Sequence, residues 1–186
     1  MRFRLLLLPC LALFSFAALA QTRHIVISAA GGQSQETWHG QADFQSLNVE
    51  LGKAFSPRTE VAFVASAMSL WQPRSWFGDL YGDGNETVRA LGAALLVRRR
   101  MNTDSSRIHF YGEAVAGPTW AEKAIPASTS RFNFSTEAGA GIVLMPRARY
   151  PLMIGYRFAH LSNGGYSPRN PGFNINSIVA GVQVRR

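Results

Sequence analysis

The chain has 186 residues, with 19 Lys and Arg, 11 Asp and Glu and a single cysteine, giving a formal charge of +8. That length suits one domain. The one cysteine, Cys10, falls in the first twenty residues, so the remainder can form no disulfide, thiolate nucleophile or Cys-ligated metal site.

The N-terminus points to a compartment. Met1-Arg2-Phe3-Arg4 is a basic head, Leu5 to Leu13 is apolar, and Ala17-Ala18-Leu19-Ala20 is a small-residue end with an A-x-A arrangement. This order predicts a secretory signal over residues 1–20, cleaved before Gln21. The apolar core is short for a membrane span, and Pro9 ahead of Cys10 does not fit a lipid-attachment site. Without Arg2 and Arg4, 17 basic residues face 11 acidic ones, a charge of +6. A basic exported protein suits an anionic partner. No nucleic-acid-binding motif is present.

From Gln21 onward no helical period persists, and a two-residue alternation recurs instead. Taken in order, residues 23–31, 43–55, 59–70, 86–98, 107–120, 131–145, 149–162 and 174–185 are predicted as eight strands. In the second, Leu47, Val49 and Leu51 share a face; in the seventh, Tyr150, Leu152, Ile154, Tyr156 and Phe158 do. Ser56-Pro57-Arg58 and Pro146-Arg147-Ala148 are tight connections, and Arg99 to Ser106 is moderate. The stretches 32–42, 71–85, 121–130 and 163–173 are longer. Short turns alternating with long loops predict an all-β, eight-stranded antiparallel outer-membrane β-barrel over residues 21–186, a closed form without an exposed edge.

Glu50, Arg89, Glu113, Glu137 and Arg157 lie opposite the bulkier apolar residues and are expected to point inward as an ion network. A soluble sandwich or lipocalin-like barrel would invert those faces. Arg98-Arg99-Arg100 reads as a solvated periplasmic turn. Trp71, Trp76, Phe77 and Tyr81 read as an interfacial aromatic girdle. Asp79 to Glu86 departs from calcium-loop spacing and reads as an ordinary outer loop. His24, His39 and His109 show no metal-ligand spacing, so no metal site is expected.

The segment that carries chemistry runs from Gly155 to Gly165 and on to Asn174. His160 and Ser162 are two apart on a strand, so both leave the same face, about 7 Å apart at Cβ. A serine hydroxyl is a poor nucleophile at neutral pH, and a neighbouring histidine can take its proton during attack. Both continue the apolar series ending at Phe158. If that series faces lipid, the pair sits on the outside of the barrel near its outer end, where a lipid substrate would meet it. Extending the apolar face of the last strand backward places Asn174 and Asn176 on the same side, and either can orient the imidazole. Asn163 is a candidate to stabilise the oxyanion, assisted by the N–H groups of Gly164 and Gly165.

His160-x-Ser162-Asn163 on the penultimate strand, followed by Asn170-Pro171-Gly172, resembles the PagL family of lipid A 3-O-deacylases, as does the Phe132-Asn133-Phe134 strand. The specific match covers residues 155–174. The resemblance implies cofactor-free hydrolysis of the 3-O-linked hydroxyacyl chain of lipid A in the outer membrane. In it Ser162 is the nucleophile, His160 the general base and Asn163 an oxyanion-hole residue, with Gly165 beside it. Asn170 matches a further asparagine of the family site. The best-known members carry a glutamate fourteen residues after the histidine, where this chain has Asn174. The implied partners are lipopolysaccharide and the membrane, with a homodimer allowed. The rival reading is a structural or adhesive eight-stranded barrel of the OmpA or OmpX kind, with His160 and Ser162 merely on its rim.

Overall fold

The structure is a computed structural model and describes residues 24–35, 40–74, 84–102, 104 and 107–185. The expected signal at 1–20 lies outside the described residues, as do Trp76, Phe77 and Tyr81 of the expected girdle. Eight strands follow in chain order: β1 (His24–Ser34), β2 (Asp43–Ala54), β3 (Thr59–Pro73), β4 (Asn85–Arg100), β5 (Ile108–Ala121), β6 (Phe132–Leu144), β7 (Leu152–Ser162) and β8 (Phe173–Arg185). Each pairs antiparallel with its sequence neighbours, and β1 closes on β8, from His24 opposite Arg185 to Ser34 opposite Ile175. Every strand edge is thereby paired. The expected barrel is present.

Alternation fixes the two faces. On β2, Ser46, Asn48 and Glu50 are buried, while Leu47 and Val49 are exposed. On β7, Met153, Arg157 and Leu161 are buried, while Leu152, Ile154 and Tyr156 are exposed. Leu91, Leu95 and Ile178 are likewise exposed on the wall. Apolar outside and polar inside is the arrangement a bilayer demands, because lipid cannot hydrate a charge. The inverted, soluble reading is excluded by it.

The barrel interior combines apolar clusters with an ion network. Towards the long loops it is an apolar plug of Leu70, Val88, Ile125, Leu161, Phe173 and Ile175. Beyond it lies an ion network. Arg98 is 2.9 Å from Glu50, 3.1 Å from Glu60 and 2.8 Å from Glu113. Arg157 reaches Glu113 at 2.6 Å, Glu50 at 3.3 Å and Glu137 at 3.5 Å. Arg100 also pairs with Glu60, and the Arg98 guanidinium lies 5.1 Å from the Tyr111 ring centroid. Sharing Glu50, Glu60 and Glu113 each between two guanidinium groups offsets the cost of removing these charges from water.

Two expectations need correction here. Arg98 is not in a solvated turn: β4 continues through Arg100, and its alternation carries Arg98 inward, where it is only 2% exposed. Arg89 points the other way, exposed on the outer wall between buried Val88 and Ala90, with its backbone N–H donating to Glu122. The expected inward network therefore holds for Glu50, Glu113, Glu137 and Arg157, with Arg98 in place of Arg89.

Candidate functional site at the outer rim of β7 and β8

His160 and Ser162 end β7, and both leave the barrel on the face that carries Ile154 and Tyr156. The β7–β8 register sets His160 directly opposite Asn174. Their side chains therefore share the outer wall, and His160 Nδ1 lies 2.8 Å from Asn174 Oδ1. A neutral imidazole donates from Nδ1 in that arrangement and keeps Nε2 as the basic nitrogen. Asn176 lies further along the strand, opposite Phe158, and its Oδ1 accepts a hydrogen bond from the Tyr156 hydroxyl. Of the two asparagines, it is Asn174 that the fold brings to the histidine.

The turn after Ser162 is built around Asn163, which is 2% exposed. Its backbone N–H donates to Asn170 Oδ1 at 2.9 Å, and its Nδ2 donates to the Arg169 carbonyl at 2.7 Å. Its Oδ1 accepts from the N–H of Gly165 at 2.9 Å. Asn163, Gly165 and Asn170 thus come together, holding the loop against the end of β7. Gly164 and Gly165 both sit at positive φ, 63° and 79°, a backbone that an L side chain resists.

Gly172 closes the site from the other side. A Cβ there would stand 2.8 Å from His160 Cε1 and 3.2 Å from Nε2, and its φ is +67°. The bare backbone is what lets the imidazole lie flat against the loop. Gly172→Ala is expected to lower activity by about 100-fold, through a displaced His160 ring and a strained backbone. Steady-state assay beside a stability measurement checks this, and a Gly172→Ala barrel with unchanged kcat would refute it.

Aromatic side chains flank the serine. Phe134 lies opposite Ser162 on β6 and makes an edge contact with Phe132 at 5.1 Å, and Phe132 meets Trp120 at 6.2 Å. Trp120 in turn carries the Arg131 guanidinium 5.3 Å from its ring centroid. A groove of about 1030 Å³ lies on the wall, lined by residues such as Leu47, Leu91 and Ile178 and reaching Trp120 and Arg131 at the end of that aromatic series. His160, Ser162, Asn163 and Asn174 do not line it, so concavity alone would have pointed away from the polar cluster.

Sequence reasoning missed two contributors. Gln35, whose Oε1 accepts from Asn174 Nδ2 at 3.1 Å, is 139 residues away along the chain. Only barrel closure brings it near. Gly172 had a signal in the Asn-Pro-Gly run, though its contact with His160 was not legible there.

An apolar outer wall, a polar filled interior and eight meandering strands define an outer-membrane barrel. Neisserial surface protein A has the same architecture, with 14% identity, 88% of this chain and 96% of that chain covered, and a TM-score of 0.61. The outer membrane enzyme PagL matches at 18% identity over 87% of this chain and 99% of that chain, TM-score 0.53. No curated protein sequence matches. The family model for lipid A 3-O-deacylase (PagL) matches residues 21–183. The chain belongs to that family, whose members are outer-membrane hydrolases acting on lipid A.

Proposed function

We propose that this protein removes the 3-O-linked hydroxyacyl chain of lipid A, with Ser162 as nucleophile, His160 as base and Asn174 as the residue that orients the imidazole. The observation that carries this reading is the hydrogen-bonded His160–Asn174 pair beside Ser162 on the outer face of β7, in line with exposed Leu152 and Ile154. A structural barrel has no need of such a cluster facing lipid. A hydrolase whose substrate is itself a lipid does.

In the first half-reaction, His160 Nε2 takes the proton of Ser162 Oγ as the oxygen attacks the ester carbonyl carbon. The tetrahedral intermediate places negative charge on the former carbonyl oxygen. The Asn163 N–H, Asn163 Nδ2 and Gly165 N–H are already donated within the turn, so Asn163, Gly165 and Asn170 shape the backbone beside that oxygen rather than donate to it, unlike the oxyanion role expected of Asn163. Collapse breaks the bond to the sugar 3-oxygen, which leaves with the proton held by His160. In the second half, His160 takes a proton from water as its oxygen attacks the acyl-Ser162 carbonyl; collapse then breaks the bond to Ser162 Oγ, His160 returns the proton to that oxygen, and the hydroxy fatty acid is freed. In this mechanism substrate binding brings Ser162 Oγ to Nε2. All of these groups come from one barrel, so a homodimer is compatible with the mechanism without being required by it.

Mass spectrometry of lipid A from cells expressing the protein tests the proposal. Loss of one hydroxyacyl chain is the expected result. Unchanged lipid A, with the barrel folded in the outer membrane, would favour the structural reading instead. Asn174→Asp is expected to raise kcat about tenfold. It keeps the 2.8 Å contact to Nδ1 and adds the charge that stabilises the imidazolium, a charged acceptor being about twice as strong as a neutral one. A rate that stays level or falls would show that charge at this position is not limiting.

A further inference from the structure

An asparagine beside a catalytic histidine has a weakness that a carboxylate lacks. Both carboxylate oxygens accept hydrogen bonds, whereas an amide accepts at one end and donates at the other. A half-turn of the Asn174 amide would present Nδ2 to His160. Nδ1 would then have to accept, the ring proton would sit on Nε2, and the base would be lost. Some third group has to fix the sense of the amide.

Gln35 is placed to do so. Its Oε1 accepts from Asn174 Nδ2 at 3.1 Å, while Asn174 Oδ1 faces His160 Nδ1 at 2.8 Å. The side chains form a continuous series, Gln35 to Asn174 to His160. The backbone of Gln35 is held in place, and its exposed side chain reaches from there. Its backbone N–H donates to the Asn174 carbonyl at 2.7 Å. The preceding residue, Ser34, is fastened to the far end of the loop: its N–H donates to the Ala42 carbonyl at 2.8 Å, and its Oγ accepts from the N–H of Ala42 at 2.9 Å. Gln41 Nε2 donates to the Ser34 carbonyl at 2.8 Å. The strand end that presents Gln35 is thereby anchored on both sides.

We infer that Gln35 is a positioning residue that sets the amide sense of Asn174 and, through it, the tautomer of His160. This inference rests on the reading of His160 as the base. In this site a second neutral amide does part of what a negative charge would otherwise do: it selects which nitrogen of the ring is basic.

The test uses the refolded full barrel with lipid A in mixed micelles, and reads both kinetics and the ¹⁵N shifts of the neutral His160 ring. Gln35→Met keeps the length and removes the acceptor. It is expected to lower kcat about tenfold with KM unchanged, the worth of one hydrogen bond, and to shift His160 toward the Nε2–H form. Gln35→Glu, an obligate acceptor, should restore both readouts. Gln35→Lys, an obligate donor, should reverse the amide and fall below Gln35→Met. In an Asn174→Asp background the same Gln35→Met change should matter little, because a carboxylate has no wrong end. An unmoved tautomer in Gln35→Met, or a defect that persists in the Asn174→Asp background, overturns the inference. Deacylation that survives Ser162→Ala would instead overturn the catalytic reading, and the ring tautomer would still decide the role of Gln35 by itself.

Discussion

Ser162→Ala is expected to abolish lipid A deacylation, with a loss of at least about 10⁴-fold, while the barrel folds and inserts normally. The hydroxyl is the only group removed. His160→Ala is expected to cost about as much, and the double variant little more than either, because a nucleophile and its base fail as a unit. Stability should move by no more than about 0.5 kcal/mol, since both side chains sit half-buried on the rim away from the core. Lipid A mass spectra paired with denaturant unfolding separate the two effects. Deacylation by a folded Ser162→Ala barrel would remove serine from the nucleophile's role.

Arg98→Met is expected to produce the largest loss of stability, about 4 kcal/mol, with no direct effect on the site. Arg98 stands within 3.1 Å of Glu50, Glu60 and Glu113, and Glu50 and Glu60 are themselves 1% and 3% exposed. Methionine fills much the same volume but leaves those carboxylates facing one another with too few cations. Breaking a buried ion cluster from one side costs far more than its net worth when complete, because the partners stay desolvated. Adding Glu50→Gln should recover part of the loss, a coupling expected of groups in one network. Arg89→Met, on the outer wall, is the control and should shift stability by under about 1 kcal/mol. The loss of gel mobility difference between folded and unfolded barrel across a urea series would measure all three. An unchanged Arg98→Met midpoint would mean that the network contributes little to holding the barrel.

Strand number and the inside–outside sense of most strands are readable because period-two alternation is a local property, and Leu47-x-Val49-x-Leu51 shows it without any partner. The site is readable for the same reason: His160 and Ser162 keep the parity of Ile154 and Tyr156. Errors arise where composition misleads about parity. Three consecutive arginines look like a turn, yet β4 runs through them and turns Arg98 and Arg100 inward. Arg89 is expected inward because it is charged, although its neighbours Val88 and Ala90 already occupy the interior. The lipid interface, where a long cation can reach headgroups, tolerates it outside. What cannot be read is anything that depends on closure. The pairing of Gln33 with Asn176, and hence the approach of Gln35 to Asn174, joins the two ends of the chain. No local pattern encodes that register, and the alternation of the first strand fades near residue 31, short of Gln35.

With Ser162 as the proposed nucleophile, its placement on the outer wall, rather than in a pocket open to water, changes the dimensionality of the reaction. Enzyme and substrate meet by lateral diffusion within one leaflet, and the acyl product leaves sideways into the same sheet. The concentration that governs turnover is then a mole fraction per unit area of membrane. Inert lipid or detergent mixed into that surface competes by dilution alone, slowing the reaction even when the bulk amounts of protein and lipid A stay the same.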